Sequence, residues 1–168
     1  MSEKTKLRVW TFFRNGIRIQ GAHEYTPPVL TITKTDLRTG AQDAPTPVDD
    51  GMEALTCQIK FYGIDTDMLA SFGFVSGNRP RFTAYQGFTG NTTEASSSEE
   101  IEGFVQTVTP DARGNSALSE NAVTVDIAVS YYRQMVNGLE TIAIDTERFS
   151  RRVNGVDVLS GLAAKVRL

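Results

Sequence analysis

The amino-acid sequence predicts a mainly β fold with one short helix, and three observations carry that expectation. Apolar residues recur with a period of two along several stretches, which is the spacing of strands with one buried face. Asn15-Gly16 and Asn137-Gly138 sit between such stretches, and each supplies the positive φ angles that a two-residue type I′ hairpin turn demands. The connecting segments are rich in Gly, Pro, Ser, Thr and Asp, the residues of turns and loops.

Taken along the chain, the first hairpin turns at Asn15-Gly16. Its register opposes Arg14 to Ile17 and Phe12 to Ile19, so Trp10, Phe12, Ile17 and Ile19 share an apolar face. Leu30 and Ile32, set among Thr31, Thr33 and Thr35, read as a second half-buried strand. Thr33 to Gly51 carries Gly40, Pro45, Pro47 and Asp49-Asp50-Gly51, and reads as a long loop of the kind that carries function. Leu55, Cys57, Ile59 and Phe61 alternate with Thr56, Gln58, Lys60 and Tyr62 as a half-buried strand. Asp65 can cap the short helix, with Met68, Leu69 and Phe72 on one side and Gly73 at its end.

Strands resume near Phe82 to Phe88 and Ile101 to Val108, separated by a Thr-, Ser- and Gly-rich loop over Gly87 to Glu100. A further loop runs from Pro110 to Ser119. Val123, Val125, Ile127, Val129 and Tyr131 form the longest apolar stripe, well beyond the ~5–6 residues of a usual strand. The hairpin at Asn137-Gly138 opposes Val136 to Leu139, Arg133 to Ile142 and Tyr131 to Ile144, which puts Tyr131, Met135, Ile142 and Ile144 on one face. The C-terminal stretch Asp157 to Ala164 is a second helix candidate, interrupted by Gly161.

Residues 1–168 fit one domain, and no linker or solenoid repeat divides them. A chain of this length can bury roughly 70% of the surface it exposes when unfolded, so neither a disulfide nor a metal is required. Seventeen Lys and Arg against twenty Asp and Glu leave a net charge of −3, which excludes a whole-chain polycation that neutralises phosphates. The polar N-terminus reads as no signal peptide and no apolar run suits a membrane span, so the expectation is a soluble protein of a reducing cytoplasm. Charge is uneven. Gly87 to Tyr132 holds seven acids and one base, and Glu147 to Leu168 holds two acids and five bases, a segregation that head-to-tail association can use.

Catalysis finds little to work with. His23 is the single imidazole and no nucleophile–acid pattern surrounds it, so it reads as a surface or interface residue. Cys57 falls on the apolar side of its strand, the place of an inert buried thiol. Glu99 and Glu100 are adjacent acids without a partner, and there is no phosphate loop, dinucleotide fingerprint or Cys/His metal spacing. No catalytic, cofactor or metal residue is therefore assigned. Trp10, Phe12, Phe13, Phe61, Phe82, Phe88 and Phe104 suit core packing better than a single-strand-binding sheet, for which Arg14, Arg18, Arg79 and Arg81 are too few.

The series Val129-Ser130-Tyr131-Tyr132, Val136-Asn137-Gly138, Glu140, Ile144-Asp145 and Val153-Asn154-Gly155-Val156-Asp157 resembles the major tail tube protein of contractile-tailed bacteriophages and phage-tail-like bacteriocins. Pro28-Val29-Leu30, Pro45-Thr46-Pro47-Val48 and Gly51-Met52-Glu53-Ala54 are similar to the same family. The resemblance implies a β-sandwich or split-barrel subunit whose strands join those of its neighbours in a ring-shaped β-barrel. Six subunits would form a ring, and stacked rings a hollow tube within a contractile sheath. It implies a baseplate or hub and a tape-measure protein as partners, DNA only as passing cargo, assembly in the bacterial host cytoplasm, and no enzymatic activity. On that footing Thr39, Gly40, Pro45, Pro47, Asp49 and Asp50 belong to a ring-stacking loop. Thr124, Asp126 and Ser130, with Ala128 and Gln134, form the small polar face expected to line the lumen, opposite the core-facing Val125, Ile127 and Val129. A virion-associated β-sandwich binding module, adhesin-like and with a ligand pocket, is the alternative reading.

Overall fold

Asn15 and Gly16 adopt φ of 47° and 81°, and the hairpin they close sets the first register. The computed structural model describes residues 4–73, 79–113 and 121–168. Strand β1 (Lys6–Arg14) meets β2 (Ile17–Arg18) with Arg14 opposite Ile17, as the turn chemistry requires. Phe12 and Ile19 are buried and Trp10 packs beside them, whereas Ile17 at the hairpin tip is 61% exposed and lies outside the core cluster. Strand β3 (Ala22–Thr26) follows.

The segment expected to be a long loop is instead a β-ribbon. Strands β4 (Ile32–Leu37) and β5 (Thr46–Met52) pair antiparallel in a two-stranded sheet of their own, with Leu37 opposite Thr46 and Thr35 opposite Val48. Every residue of β4 is exposed, so the half-buried strand expected around Leu30 and Ile32 has no buried face. Met52 at its base packs against the core, but the rest of the ribbon is exposed on both sides and so shows no period, and its Thr and Asp residues disguise it as loop. Strand β6 (Leu55–Tyr62) then alternates buried and exposed residues as expected.

Helix α1 (Thr66–Ala70) is capped by Asp65, whose Oδ1 accepts from the Met68 N–H at 3.0 Å. Only Met68 is buried; Leu69 and Phe72, expected beside it, are 38% and 58% exposed because one short turn presents a single residue inward. Strands β7 (Arg81–Thr89) and β8 (Glu94–Pro110) form a long hairpin. Of the Gly87–Glu100 segment expected as loop, Gly87–Thr89 and Glu94–Glu100 are thus strand, paired with one another and with the rest of β7. Strand β9 (Ala122–Val136), the hairpin to β10 (Leu139–Asp145), β11 (Ser150–Val153) and β12 (Val156–Asp157) complete the sheet. Of the Pro110–Ser119 segment, residues 114–119 lie outside the described part. Asn154 and Gly155, at φ of 51° and 80°, make another Asn-Gly turn between β11 and β12. The C-terminal candidate forms a second helix, α2 (Ser160–Lys165), where Asp157 Oδ1 accepts from the Leu159 N–H and the Asp157 carbonyl from the Ser160 hydroxyl.

The main sheet is antiparallel and forked. One edge of β9 pairs with β8, which leads on to β7, β1 and β2. The other edge is divided: Ala122–Val129 pairs with β6, which holds β3, and Tyr131–Val136 pairs with β10, which leads to β11 and β12. The sheet curls so that Tyr25 of β3 packs against Trp10 and Phe12 of β1, with ring centroids 6.3 and 5.3 Å apart. No ladder joins β3 to β1 among the described residues, so the curled sheet stays a split barrel within the single subunit. Phe12, Ile59, Phe61, Met68, Phe82, Ile101, Val105, Val125 and Ile127 fill its centre.

Bulges decide which residues face that core. Ser130 is an extra residue of β9 at the fork, between the Gly103–Val129 and Glu102–Tyr131 pairs. Its carbonyl, freed from the ladder, accepts from the Thr146 N–H and hydroxyl at 3.0 and 2.9 Å. The alternation changes phase there: Val125, Ile127 and Val129 are buried below, Tyr132 above. A second bulge at Thr141 shifts the β9–β10 register, so Ile142 opposes Gln134 and Ile144 opposes Tyr132. The Thr141 hydroxyl donates to the Gln134 carbonyl at 3.1 Å and so satisfies the interrupted ladder. The face expected to hold Tyr131, Met135, Ile142 and Ile144 is therefore made by Tyr132, Gln134, Ile142 and Ile144.

Candidate assembly site

The β4–β5 ribbon is exposed along almost its whole length. One side of it carries Thr35, Leu37, Thr46 and Val48, with Leu37 and Val48 54% and 42% exposed. The other side carries Lys34, Asp36, Pro47 and Asp49. Of the stacking residues expected from the sequence, Pro47, Asp49 and Asp50 lie in β5, and Thr39, Gly40 and Pro45 at the ribbon's tip. The tip is held by a Gln42 side chain that accepts from the Thr39 N–H and donates to the Thr46 hydroxyl. At the base, Arg151 of β11 reaches across the fork to the Asp49 carboxylate. The Gly51 N–H, and after it the Arg151 guanidinium, hold the Asp49 carboxyl below its ordinary 3.8. Arg151 carries no local cue for this role, being 102 positions from Asp49.

The face of β9 opposite the core carries Thr124, Asp126 and Ala128, all half-buried, with Val125 and Ile127 fully buried behind them. Gln58 Nε2 of β6 donates to Asp126 Oδ1 at 2.8 Å, and Lys60 stands opposite Thr124. Asp126 lines a groove of about 400 Å³ together with Thr26, Pro27, Val29, Gln58 and Thr107. Ser130 does not continue this row, since it is the bulged residue and its hydroxyl donates to the Glu102 carbonyl at 3.1 Å. Gln134, beyond the bulge, pairs with the core-side Ile142. Some charges of the acidic and basic segments are paired inside the subunit, but with residues outside the opposite segment: Glu100 with Arg133, Arg152 with Glu140 and Arg148 with Asp145.

The family description Phage tail tube protein FII matches residues 4–166, almost the whole chain. The chain belongs to that family. Its role is that of the inner tube of a tail or tail-like particle, and the adhesin-like alternative is not favoured. Among curated proteins none matches by sequence. Two solved structures are similar in fold. A chain of the sheath–tube complex of an extracellular contractile injection system, in its extended state, aligns at 7% identity with a TM-score of 0.59, over 75% of this chain and 87% of that one. A chain of the anti-feeding prophage baseplate, six-fold symmetrised, aligns at 8% identity with a TM-score of 0.51, over 80% and 94%.

The tube subunit also contains a polar cluster that sequence reasoning missed. Glu99 of β8, read above as an unpartnered loop acid, is 3% exposed and accepts a hydrogen bond from the Tyr25 hydroxyl of β3. The Tyr132 hydroxyl of β9 bonds the same carboxyl. One buried acid thus joins β3, β8 and β9 through the core. Burial raises the Glu99 carboxyl above its ordinary 4.5, against the lowering effect of the two hydroxyls. Burial also pushes the neighbouring Cys57 thiol up to about 12 and raises both tyrosines. A carboxyl whose pKa rises on folding contributes stability that is full below pH 4.5 and lost as pH rises through its folded value. Glu99→Gln keeps the shape and removes the titration, so its unfolding free energy relative to wild type should climb over that window. Urea melts from pH 4 upward check this; equal slopes for the two proteins would contradict the assignment.

The remaining expectations fall as follows. His23 is exposed on β3 and stacks on Tyr62, with ring centroids 4.3 Å apart. Cys57 is buried. Phe13 sits half-buried on the sheet face away from the core, edge-on to Tyr85 at 5.5 Å, and Phe88 and Phe104 are likewise only half-buried. Among the described residues no group of His, Cys, Asp and Glu could hold a metal ion, and no helix is long and apolar enough to cross a membrane.

Proposed function

We propose that the subunits close into six-membered rings and that the rings stack head to tail into a hollow tube. In this reading the β4–β5 ribbon reaches the adjoining ring, and the Thr124–Asp126 face of β9 turns to the lumen. The observation that carries the reading is the ribbon itself. A two-stranded sheet is marginal alone in water, yet above Met52 this one is exposed on both sides, with Leu37 and Val48 uncovered. A neighbouring subunit supplies the missing cover. Likeness in fold to chains of a sheath–tube complex and of a six-fold baseplate supports a contractile sheath and a baseplate or hub as partners. A tape-measure protein, and DNA where the particle is a phage, would occupy or pass through the lumen. Assembly would take place in the bacterial host cytoplasm, and the tube would act as conduit or puncturing device without catalysing any reaction.

A wall that must release its cargo cannot be lined by phosphate-binding cations. Asp126, tied to Gln58, provides an acid on that face, and Lys60 stands opposite Thr124. The test joins electron microscopy of concentrated protein to labelling of Asp126→Cys with a bulky thiol reagent. The buried Cys57 leaves a quiet background. Expected are tubes with six-fold end views, contacts of roughly 2,000 Å² or more, and position 126 labelled in free subunits but protected in tubes. A monomer at every concentration, or labelling along the outside of intact tubes, would overturn the respective part.

A further inference from the structure

The three Asn-Gly turns offer one chemistry in three settings. In each, Asn and Gly are exposed at positive φ, and the Asn N–H donates to a carbonyl on an adjacent strand: Asn15 to Arg81, Asn137 to Ser96 and Asn154 to Thr141. The side chains differ. Asn15 Oδ1 accepts from the Arg81 N–H at 2.9 Å, and Asn137 Oδ1 from the Ser96 N–H at 3.0 Å, so each carboxamide is pinned to the neighbouring strand. Among the described residues the Asn154 carboxamide makes no hydrogen bond. The cause is visible in the sheet. The strand residue beside Asn154 is Thr141, the bulged position of β10, whose irregular backbone replaces the regular partner available at the other two turns. Asn154 also closes onto β12, a two-residue strand at the end of the sheet, where fraying is easiest.

We propose that Asn154 is the primary site of spontaneous deamidation among the three Asn-Gly turns of this protein. The Gly155 backbone nitrogen, after losing its proton to base, bonds to Asn154 Cγ. The Cγ–N bond of the side-chain amide breaks, and ammonia leaves with a proton from solvent. Water then opens the resulting succinimide at either carbonyl to give Asp or iso-Asp, so the balance is one water in and one ammonia out. Glycine at the following position leaves the attacking nitrogen unshielded at all three turns. What remains is the freedom of the carboxamide to rotate toward it, and only Asn154 has that freedom. Iso-Asp adds a methylene to the main chain and would dismantle the two-residue turn, detaching β12 from β11.

Asn137 is an internal control, because Val136-Asn137-Gly138 and Val153-Asn154-Gly155 are the same tripeptide. The experiment incubates the purified full-length protein in mildly alkaline buffer and follows each turn by peptide mapping and mass spectrometry, folded and in denaturant. In the folded protein Asn154 should convert about fivefold faster than Asn15 or Asn137, the rate equivalent of one hydrogen bond of ordinary net strength. In denaturant the Asn137 and Asn154 rates should converge. Equal folded rates, a faster Asn15 or Asn137, or an Asn154 preference that survives unfolding would overturn the proposal.

Discussion

Replacing Gly103 by Ala should cost the tube subunit roughly 3 kcal/mol or more, at the upper end for an overpacked site. A Cβ at this position would stand 2.0 Å from the Ala128 carbonyl oxygen and 2.9 Å from its carbon. Those atoms belong to the backbone of β9, immediately before the Ser130 bulge, so no side chain can swing aside. Either β8 and β9 separate or the bulge moves, and a moved bulge would turn Tyr132 or Val129 out of the core. Gly40→Ala is the matched control, since nothing lies within 4 Å of its added methyl. Urea denaturation should show a large loss of midpoint for the first variant and a change within about 0.5 kcal/mol for the second. A Gly103→Ala protein as stable as wild type would mean that the two strands are not so closely apposed.

Shortening the β4–β5 ribbon between Thr39 and Asp50 should spare the fold and abolish tube formation. Met52, which packs against the core, stays in place, and the removed part contributes no residue to the core cluster, so its loss removes little apolar burial from the subunit. The Asp49–Arg151 ion pair goes with it, but the Asp49 end is 45% exposed and screened by solvent, and removing the ribbon opens the mostly covered Arg151 side chain to water. Circular dichroism should therefore report a wild-type melting profile, and electron microscopy should show subunits or single rings in place of tubes. Asp49→Ala keeps the ribbon and removes only its clamp; it should still polymerise, more weakly. Normal tubes from the shortened protein would show that stacking runs through another surface.

Much of the fold could be read where a local pattern coincides with a single buried face. Leu55 to Tyr62 alternates without interruption because all of it lies over one core, and Asn15-Gly16 and Asn137-Gly138 turn where the dipeptides stand. The pattern misleads at the bulges. The phase change at Ser130 depends on Thr146, and that at Thr141 on Gln134, partners whose arrangement exists only once the strands are assembled. Gly103, a glycine within an apolar alternation, was the one sequence cue to irregularity there. The ribbon was hidden for a different reason. Exposed on both faces beyond Met52, it has no period to display, and Asp49-Asp50-Gly51 has the composition of a turn. Glu99 was hidden because its solvation is replaced by hydroxyls from Tyr25, 74 positions away, and from Tyr132 on another strand.

The forked edge of β9 also sets a timetable for synthesis. Among the described residues, strand β3 pairs only with β6, and β6 otherwise pairs only with β9. The ribosome finishes β6 at Tyr62 but does not begin β9 until Ala122. At ~5–20 residues per second the wait lasts on the order of 3–12 s. Through that interval β6 lacks its β9 partner, and Ile59 and Phe61 lack the Val123, Val125 and Ile127 side chains that complete their core. The upper branch of the fork waits longer still, until β10 ends at Asp145. Folding of this chain is therefore expected to be essentially post-translational, and pairings between distant segments make it slow once begun. Polysomes making a tube protein would carry many such half-finished chains, each with bare strand edges, side by side. A holding chaperone acting on nascent chains longer than about 60 residues would be most needed there, and its removal should appear as aggregation during translation rather than as weakness of the finished subunit.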